Sequence, residues 1–213
     1  LLEGHFRIFK TPGNANSQVG LPLAILNGLN DRNEVAVLEM GMSRAGEIAR
    51  LVKIAPPQVA VINSVGYCHA ENFEGLAGIA KAKSEIFSHA DTKHKIYHWS
   101  IEGLMGGAPA EGSKPFGLQN EALAFTLLPA SKGYIYKEGE TRKLIPEPPF
   151  NEAYLLHNLL AALAAVRSFG VSLEDVESKI PLLQTPEKRF QRIQKKGVIL
   201  INDAYNACPL SMK

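Results

Sequence analysis

EVAVLEMGMSRAGEIARLVKIAPPQVAVINS, Glu34 to Ser64, is the stretch whose reading decides the fold. It opens with Glu34 to Leu38, a short apolar run of the kind a buried parallel strand carries, and ends that run in Glu39-Met40-Gly41. Gly46 to Ile54 has helical spacing and is closed by Pro56-Pro57. Val59 to Ile62 is a second buried strand, running out into Asn63-Ser64. Strand, loop, helix, strand predicts an α/β fold with a mostly parallel sheet flanked by helices. Such sheets take their ligands just beyond the carboxyl ends of the strands. That rule places Glu39 and the loop from Asn63 to His69 on the ligand edge.

The next segment, LAGIAKAKSEIFSHA from Leu76 to Ala90, reads as one helix. At about 100° per residue, Leu76, Ile79, Ala80, Ile86 and Phe87 fall on one apolar stripe. Lys83 projects into the middle of it, while Lys81 and Glu85 point the other way. A lysine on a buried face must snorkel out, find a partner, or change its chemistry. Periodicity alone leaves these alternatives open.

Upstream, Leu1 to Lys10 reads as a helix tail entering a short strand, His5 to Phe9, and Thr11 to Pro22 is a turn-rich loop. Leu21 to Leu29 has helical spacing, with Pro22 tolerated in the first turn. Downstream, Lys95 to Trp99 is a third strand and Glu102 to Pro115 a Gly-, Ala- and Pro-rich loop. Gly107 to Lys114 imitates a phosphate-binding GxxxxGK[ST] loop. Its Lys and Ser are transposed, however, and Pro115 stands where a helix should begin, so the imitation is rejected. Short β segments (Ala124 to Leu128, Gly133 to Tyr136, Arg142 to Ile145) predict a small antiparallel extension. Asn151 to Phe169 is an apolar helix stopped by Gly170, and Ser172 with Asp175 caps the next. The basic run Glu187 to Lys196 reads as a solvated linker or helix face, and Val198 to Ile201 as a last strand.

Composition excludes several function classes. A net charge of +2 gives no electrostatic case for nucleic acid. No apolar run is long enough to span a bilayer, so no membrane insertion is expected. Cys68 and Cys208 lack metal-ligand spacing, which favours a reducing cytoplasm. The sequence lacks an initiator Met and stops just after a motif-like stretch, so both ends read as cut.

Four blocks, in register over almost the whole chain, resemble the Mur ligases, the ATP-dependent amide ligases of peptidoglycan precursor synthesis. GNANSQVGLP (Gly13 to Pro22) resembles a GNxNNxIGxP loop, and VLEMGMSRAGEI (Val37 to Ile48) an ExGxxxxGEI block. VINSVGYCHAENF and GIAKAKSEIF, spanning Val61 to Phe87, resemble NxxxxHxxxF, with one extra residue between Asn63 and His69, and AKxEIF. INDAYNACPLSM (Ile201 to Met212) resembles DDxYNANPxSM. The pattern is that of the branch that adds D-Ala-D-Ala to UDP-N-acetylmuramoyl-tripeptide through an acyl phosphate. The resemblance implies a P-loop-NTPase-like central domain over residues 1–186, without the P-loop itself, and a linker plus first C-terminal strand over 187–213. It implies ATP and Mg²⁺ as cofactors, with Glu39, His69 and Lys83 as metal ligands and catalytic residues, Lys83 as a carbamate. It places Asn14 and Asn16 at the muramoyl substrate, and Asn158, Arg189, Asp203, Tyr205 and Asn206 at ATP. The whole protein is expected to be a cytoplasmic monomer.

The chain departs from the family pattern in several places. Ser17 replaces the second Asn of NN, Ala161 the second Asn of HNxxN, Asn202 the first Asp of DDxYN, and Cys208 the second Asn of YNANP. His98-Trp99-Ser100 stands where the family has Asn-x-Asp after the third strand. Without a P-loop, this piece alone is expected to bind ATP poorly and not to turn over. A non-catalytic module of the same fold and a sister ligase, such as the folate polyglutamylating enzyme, are the competing readings.

Overall fold

The computed structural model describes residues 1–67, 70–185 and 191–204. Its main sheet has six strands in the order β3 (Val59–Ile62), β4 (His94–His98), β5 (Lys114–Leu118), β6 (Phe125–Pro129), β7 (Tyr134–Glu138) and β8 (Thr141–Ile145). From β3 to β6 the pairs are parallel, and from β6 to β8 they are antiparallel. The mostly parallel sheet with its antiparallel extension is therefore as the sequence predicts. Lys114 enters β5 instead of starting a helix, which removes the phosphate-loop imitation on structural grounds as well.

Alternation along β4 explains why the strands are apolar on both sides. Ile96 faces the cluster built on α5 (Ala153–Ser168), with Phe116, Leu127, Tyr136, Leu160 and Leu163. Its neighbour Tyr97 faces the opposite cluster, with Ala60, Ile62, Ala80, Phe87 and Ile101. The second layer is carried by α3 (Gly75–Ser84) and α4 (Ser100–Met105). A strand covered on both faces reads as a continuous apolar run, which is how Val59 to Ile62 reads. The α6 helix (Leu173–Glu177) carries the expected capping box between Ser172 and Asp175.

Several local expectations are corrected. The first ten residues contain no helix tail: His5 N–H turns back to the Leu2 carbonyl at 3.1 Å, and the strand is β1 (Ile8–Lys10). Leu1, Leu2 and Phe6 pack on the main core instead. β2 (Val35–Val37) pairs in parallel with β1 and forms a ladder separate from the six-stranded sheet. Glu34 N–H donating to the Arg7 carbonyl (2.8 Å) and Thr11 N–H donating to the Val37 carbonyl (3.0 Å) extend that ladder at both ends. The loop expected from Glu102 begins inside α4, because Ile101 is fully buried and draws one more turn of helix against the sheet. The described part of the basic run is not a linker or helix: Gln191–Lys195 is β9, antiparallel to β10 (Val198–Asn202). Lys196 and Gly197 both have positive φ (49° and 77°), the mark of a type I′ hairpin turn.

Candidate active site

Helix α1 (Gly20–Gly28) and the loop before it bring the first group of residues together. Asn16 Nδ2 donates to Glu39 Oε1 at 2.6 Å, and Gly41 N–H donates to the Asn16 carbonyl at 2.8 Å. A Cβ on Gly41 would come within 2.8 Å of the Asn16 side chain, so a larger residue there would push Asn16 aside. Thr11 Oγ1 accepts from Glu39 N–H at 3.0 Å. Further along the same loop, Gln18 Nε2 donates to the Glu47 carbonyl at 2.8 Å, tying the loop to α2 (Glu47–Ile54). The Glu47 carboxylate accepts from Ser43 and Arg44 N–H, and these two backbone bonds hold it below the usual carboxylate range. The Gly13-to-Gln18 loop is thus laid along the segment that follows β2. Asn14 lies exposed on it.

The helix carrying Lys83 is shorter than its periodicity predicts. Helix α3 ends at Ser84, and Glu85–Phe87 form a 3₁₀ turn. Ser84 Oγ donates back to the Ala80 carbonyl at 2.8 Å, a bond that competes with the regular ladder. Lys81 is exposed, as expected, while Lys83 is half-buried. Glu85 overturns the expectation that it points away. Its Oε1 accepts from Gly46 N–H at 2.7 Å and its Oε2 from Ala49 N–H at 3.1 Å, at the start of α2. Gly46 occupies the N-cap and has no side-chain oxygen of its own, so Glu85 supplies the cap from 39 residues away.

A second group stands at the carboxyl ends of β3 and β4. Asn63 Nδ2 donates to Asn158 Oδ1 at 3.1 Å, joining the end of β3 to the second turn of α5. Beside this pair, His98 and His157 meet edge to face with ring centroids 4.6 Å apart, and Phe116 packs edge-on to His98 at 5.4 Å. His98 Nδ1 lies 2.8 Å from Ser100 Oγ. Burial, and secondarily His157, lowers the His98 pKa from 6.5 to about 4. Burial lowers His157 as well, partly offset by its hydrogen bond to the Ala153 backbone. His98 therefore stays neutral in the fold down to about pH 4, whereas the unfolded chain protonates it near pH 6.5. The contribution of His98 to stability is therefore fully present above pH 6.5 and lost as pH falls toward 4. Melting temperatures across that range should fall less steeply for His98→Gln than for the parent. Parallel curves would reject the assignment.

Of the site residues named from the sequence, Asn16 is thus brought to Glu39, and Asn158 to Asn63 of the expected ligand-edge loop. Asp203 follows β10 directly. His69, Arg189, Tyr205 and Asn206 lie outside the described residues, as does the junction expected between 186 and 187. Ala161, at the expected adenine-contact position, is buried in the core. Sequence reasoning missed Thr11, Gln18, Glu85 and His157, because each acts on a partner distant along the chain. The Glu39 carboxylate and the Thr11 hydroxyl beside its backbone are hard oxygen donors of the kind Mg²⁺ takes, while Asn16 turns its amide nitrogen to that carboxylate. Among the described residues, no three His, Cys, Asp or Glu side chains converge as a metal site. No described helix is long and apolar enough to cross a membrane.

Residues 1–166 match the Mur ligase middle domain. The chain is 34% identical over 219 aligned positions to UDP-N-acetylmuramoyl-tripeptide–D-alanyl-D-alanine ligase of Bacillus subtilis, covering 100% of this chain and 47% of that protein. Among solved structures, MurF of Acinetobacter baumannii superposes with a TM-score of 0.84 at 28% identity, over 99% of this chain and 48% of that one. MurF of Thermotoga maritima, solved in complex with ADP, gives 0.81 at 33% identity, over 99% and 50%. The chain therefore spans about half the length of the relatives it matches. With the match running through both clusters, from Asn16 and Glu39 to Asn63 and Asn158, the chain belongs to the Mur ligase family.

Proposed function

We propose that the complete protein carrying this chain is a cytoplasmic, monomeric ligase that joins D-Ala-D-Ala to UDP-N-acetylmuramoyl-tripeptide at the expense of ATP. The γ-phosphoryl group of ATP passes to the terminal carboxylate of the peptide, giving an acyl phosphate and ADP. The D-Ala-D-Ala amine attacks the acyl carbon, the amide forms, and inorganic phosphate leaves with the bonding electron pair. The observation that carries this reading is the Asn16–Glu39 bond, which fastens the substrate-type loop to the carboxylate at the end of β2. The relatives bearing the name of that ligase support the choice of substrates.

In this reading residues 1–186 are the central ATPase-type domain and 187–213 begin the C-terminal one. Glu39 would help hold Mg²⁺, together with His69 and a carbamate on Lys83. Bound Mg²⁺ would neutralise charge on the phosphates and the acyl phosphate. The carbamate forms when the neutral Lys83 amine adds to CO₂ and loses a proton, which turns a cation that repels the metal into an anionic oxygen donor. Asn16 orients the Glu39 carboxylate and, with Asn14, faces the muramoyl substrate. Asn158, Arg189, Asp203, Tyr205 and Asn206 serve ATP.

Phosphate release by the complete protein with UDP-N-acetylmuramoyl-tripeptide, D-Ala-D-Ala and ATP tests the proposal. Release should require all three. Turnover with another amine and none with D-Ala-D-Ala would reassign the chain to a sister ligase, and no turnover with any amine would reject ligase chemistry.

A further inference from the structure

Trp99 is the one tryptophan of the chain, and it stands 49% exposed immediately after β4. Hydrophobic burial accounts for the closed core behind it but leaves this large open ring unexplained. Its backbone N–H donates to the Phe116 carbonyl at 3.0 Å, which anchors it to the neighbouring strand. The pyrrole edge of the indole lies over Gly117, where an added Cβ would come 2.4 Å from Trp99 Cδ1. The missing side chain at Gly117 lets the ring settle against the strand while about half its surface remains open.

Trp99 does not stand alone. His98 lies 6.1 Å from it by ring centroids, His157 lies 4.6 Å beyond His98, and the next residue along α5, Asn158, bonds Asn63. The carboxyl ends of β3 and β4, with α5 beside them, therefore present a carboxamide pair, an imidazole pair and an uncovered indole in succession. A heteroaromatic base needs a flat π-surface to stack on and amide groups at its edge. A phosphate needs cations or free backbone N–H groups instead, and burial keeps this imidazole pair uncharged near neutrality. The chemistry of the cluster suits the base and not the phosphates.

We infer that Trp99 is the stacking platform for the base of the bound nucleotide, with the Asn63–Asn158 pair at the edge of that base. This rests on the nucleotide reading proposed above and adds the residue that grips the base. Stacking tolerates any base, so Trp99 supplies affinity and the carboxamides supply discrimination.

The test is a titration of the complete protein with ADP, AMP, adenosine and tripolyphosphate, followed by tryptophan emission and by calorimetry. ADP, AMP and adenosine should change an emission component that disappears in Trp99→Phe, and tripolyphosphate should leave that component unchanged. Calorimetric ADP affinity should fall about 5- to 150-fold in Trp99→Ala and Trp99→Leu, while Trp99→Phe stays within a few-fold of the parent. The leucine variant keeps bulk without a π-face, so an equal loss in both separates stacking from folding damage. Unchanged ADP affinity in Trp99→Leu would overturn the stacking role and leave nucleotide binding standing. Absence of ADP binding to the parent protein would reject the nucleotide reading itself.

Discussion

Lys83→Ala in the complete protein should lower ligase turnover by at least about 10²–10³-fold, the scale expected when one preorganised charge-stabilising group is removed from a reacting centre. Lys83 lies half-buried in the last turn of α3, two residues before the Glu85 cap, whereas Lys81 on the same helix is exposed. Lys81→Ala should accordingly change turnover little. A small carboxylate added to the Lys83→Ala protein should restore part of the activity, because it can supply the oxygen donor that the proposed carbamate provides. Parent-level turnover in Lys83→Ala would make the lysine structural, and loss without carboxylate rescue would argue against the carbamate.

Glu85→Ala is expected to have the largest effect on stability outside the core. It removes both acceptors at the start of α2 and leaves the Gly46 and Ala49 N–H groups without their carboxylate. Two charge-assisted bonds to an otherwise uncapped helix end are worth about 2–3 kcal/mol together. Hydrogen exchange at Gly46 and Ala49 should accelerate, and the denaturant midpoint should fall without a change in slope. Glu85→Gln retains an acceptor and should recover part of the loss. The effect should also reach catalysis, because the same carboxylate ties the helix bearing Lys83 to the segment running from Glu39 to Gly46. An exchange pattern at Gly46 and Ala49 unchanged by Glu85→Ala would remove both expectations.

The fold was legible wherever one local signal sufficed. Val59 to Ile62 shows its double burial as an unbroken apolar run, and the helix Ala153–Ser168 stops beside the predicted Gly170. Ser172 and Asp175 show a capping box at a fixed spacing. Failures occurred where a local pattern met a distant competitor. Leu76 to Ala90 has helical spacing throughout, yet the helix ends at Ser84, where Glu85 turns to the start of α2. Gln191 to Lys195 carries the charges of a solvated segment, but its pairing with Val198–Asn202 makes it a strand.

For the candidate site, the division follows the range of the interactions. The sequence by itself determined which residue types stand at the strand ends: Glu39 beyond β2, Asn63 after β3 and Trp99 at the end of the expected third strand. These follow from chain order, because each residue stands within two positions of the end of its strand. Only the tertiary structure decided that Asn16 holds Glu39, that Asn158 holds Asn63, and that Glu85 caps a helix it was expected to face away from. Those contacts span 23, 95 and 39 residues, and a side-chain hydrogen bond leaves no periodic trace in the sequence between its partners. Hydrophobic spacing reports which face of an element is buried. It does not report which polar group waits on the other side, and that is what decides the chemistry here.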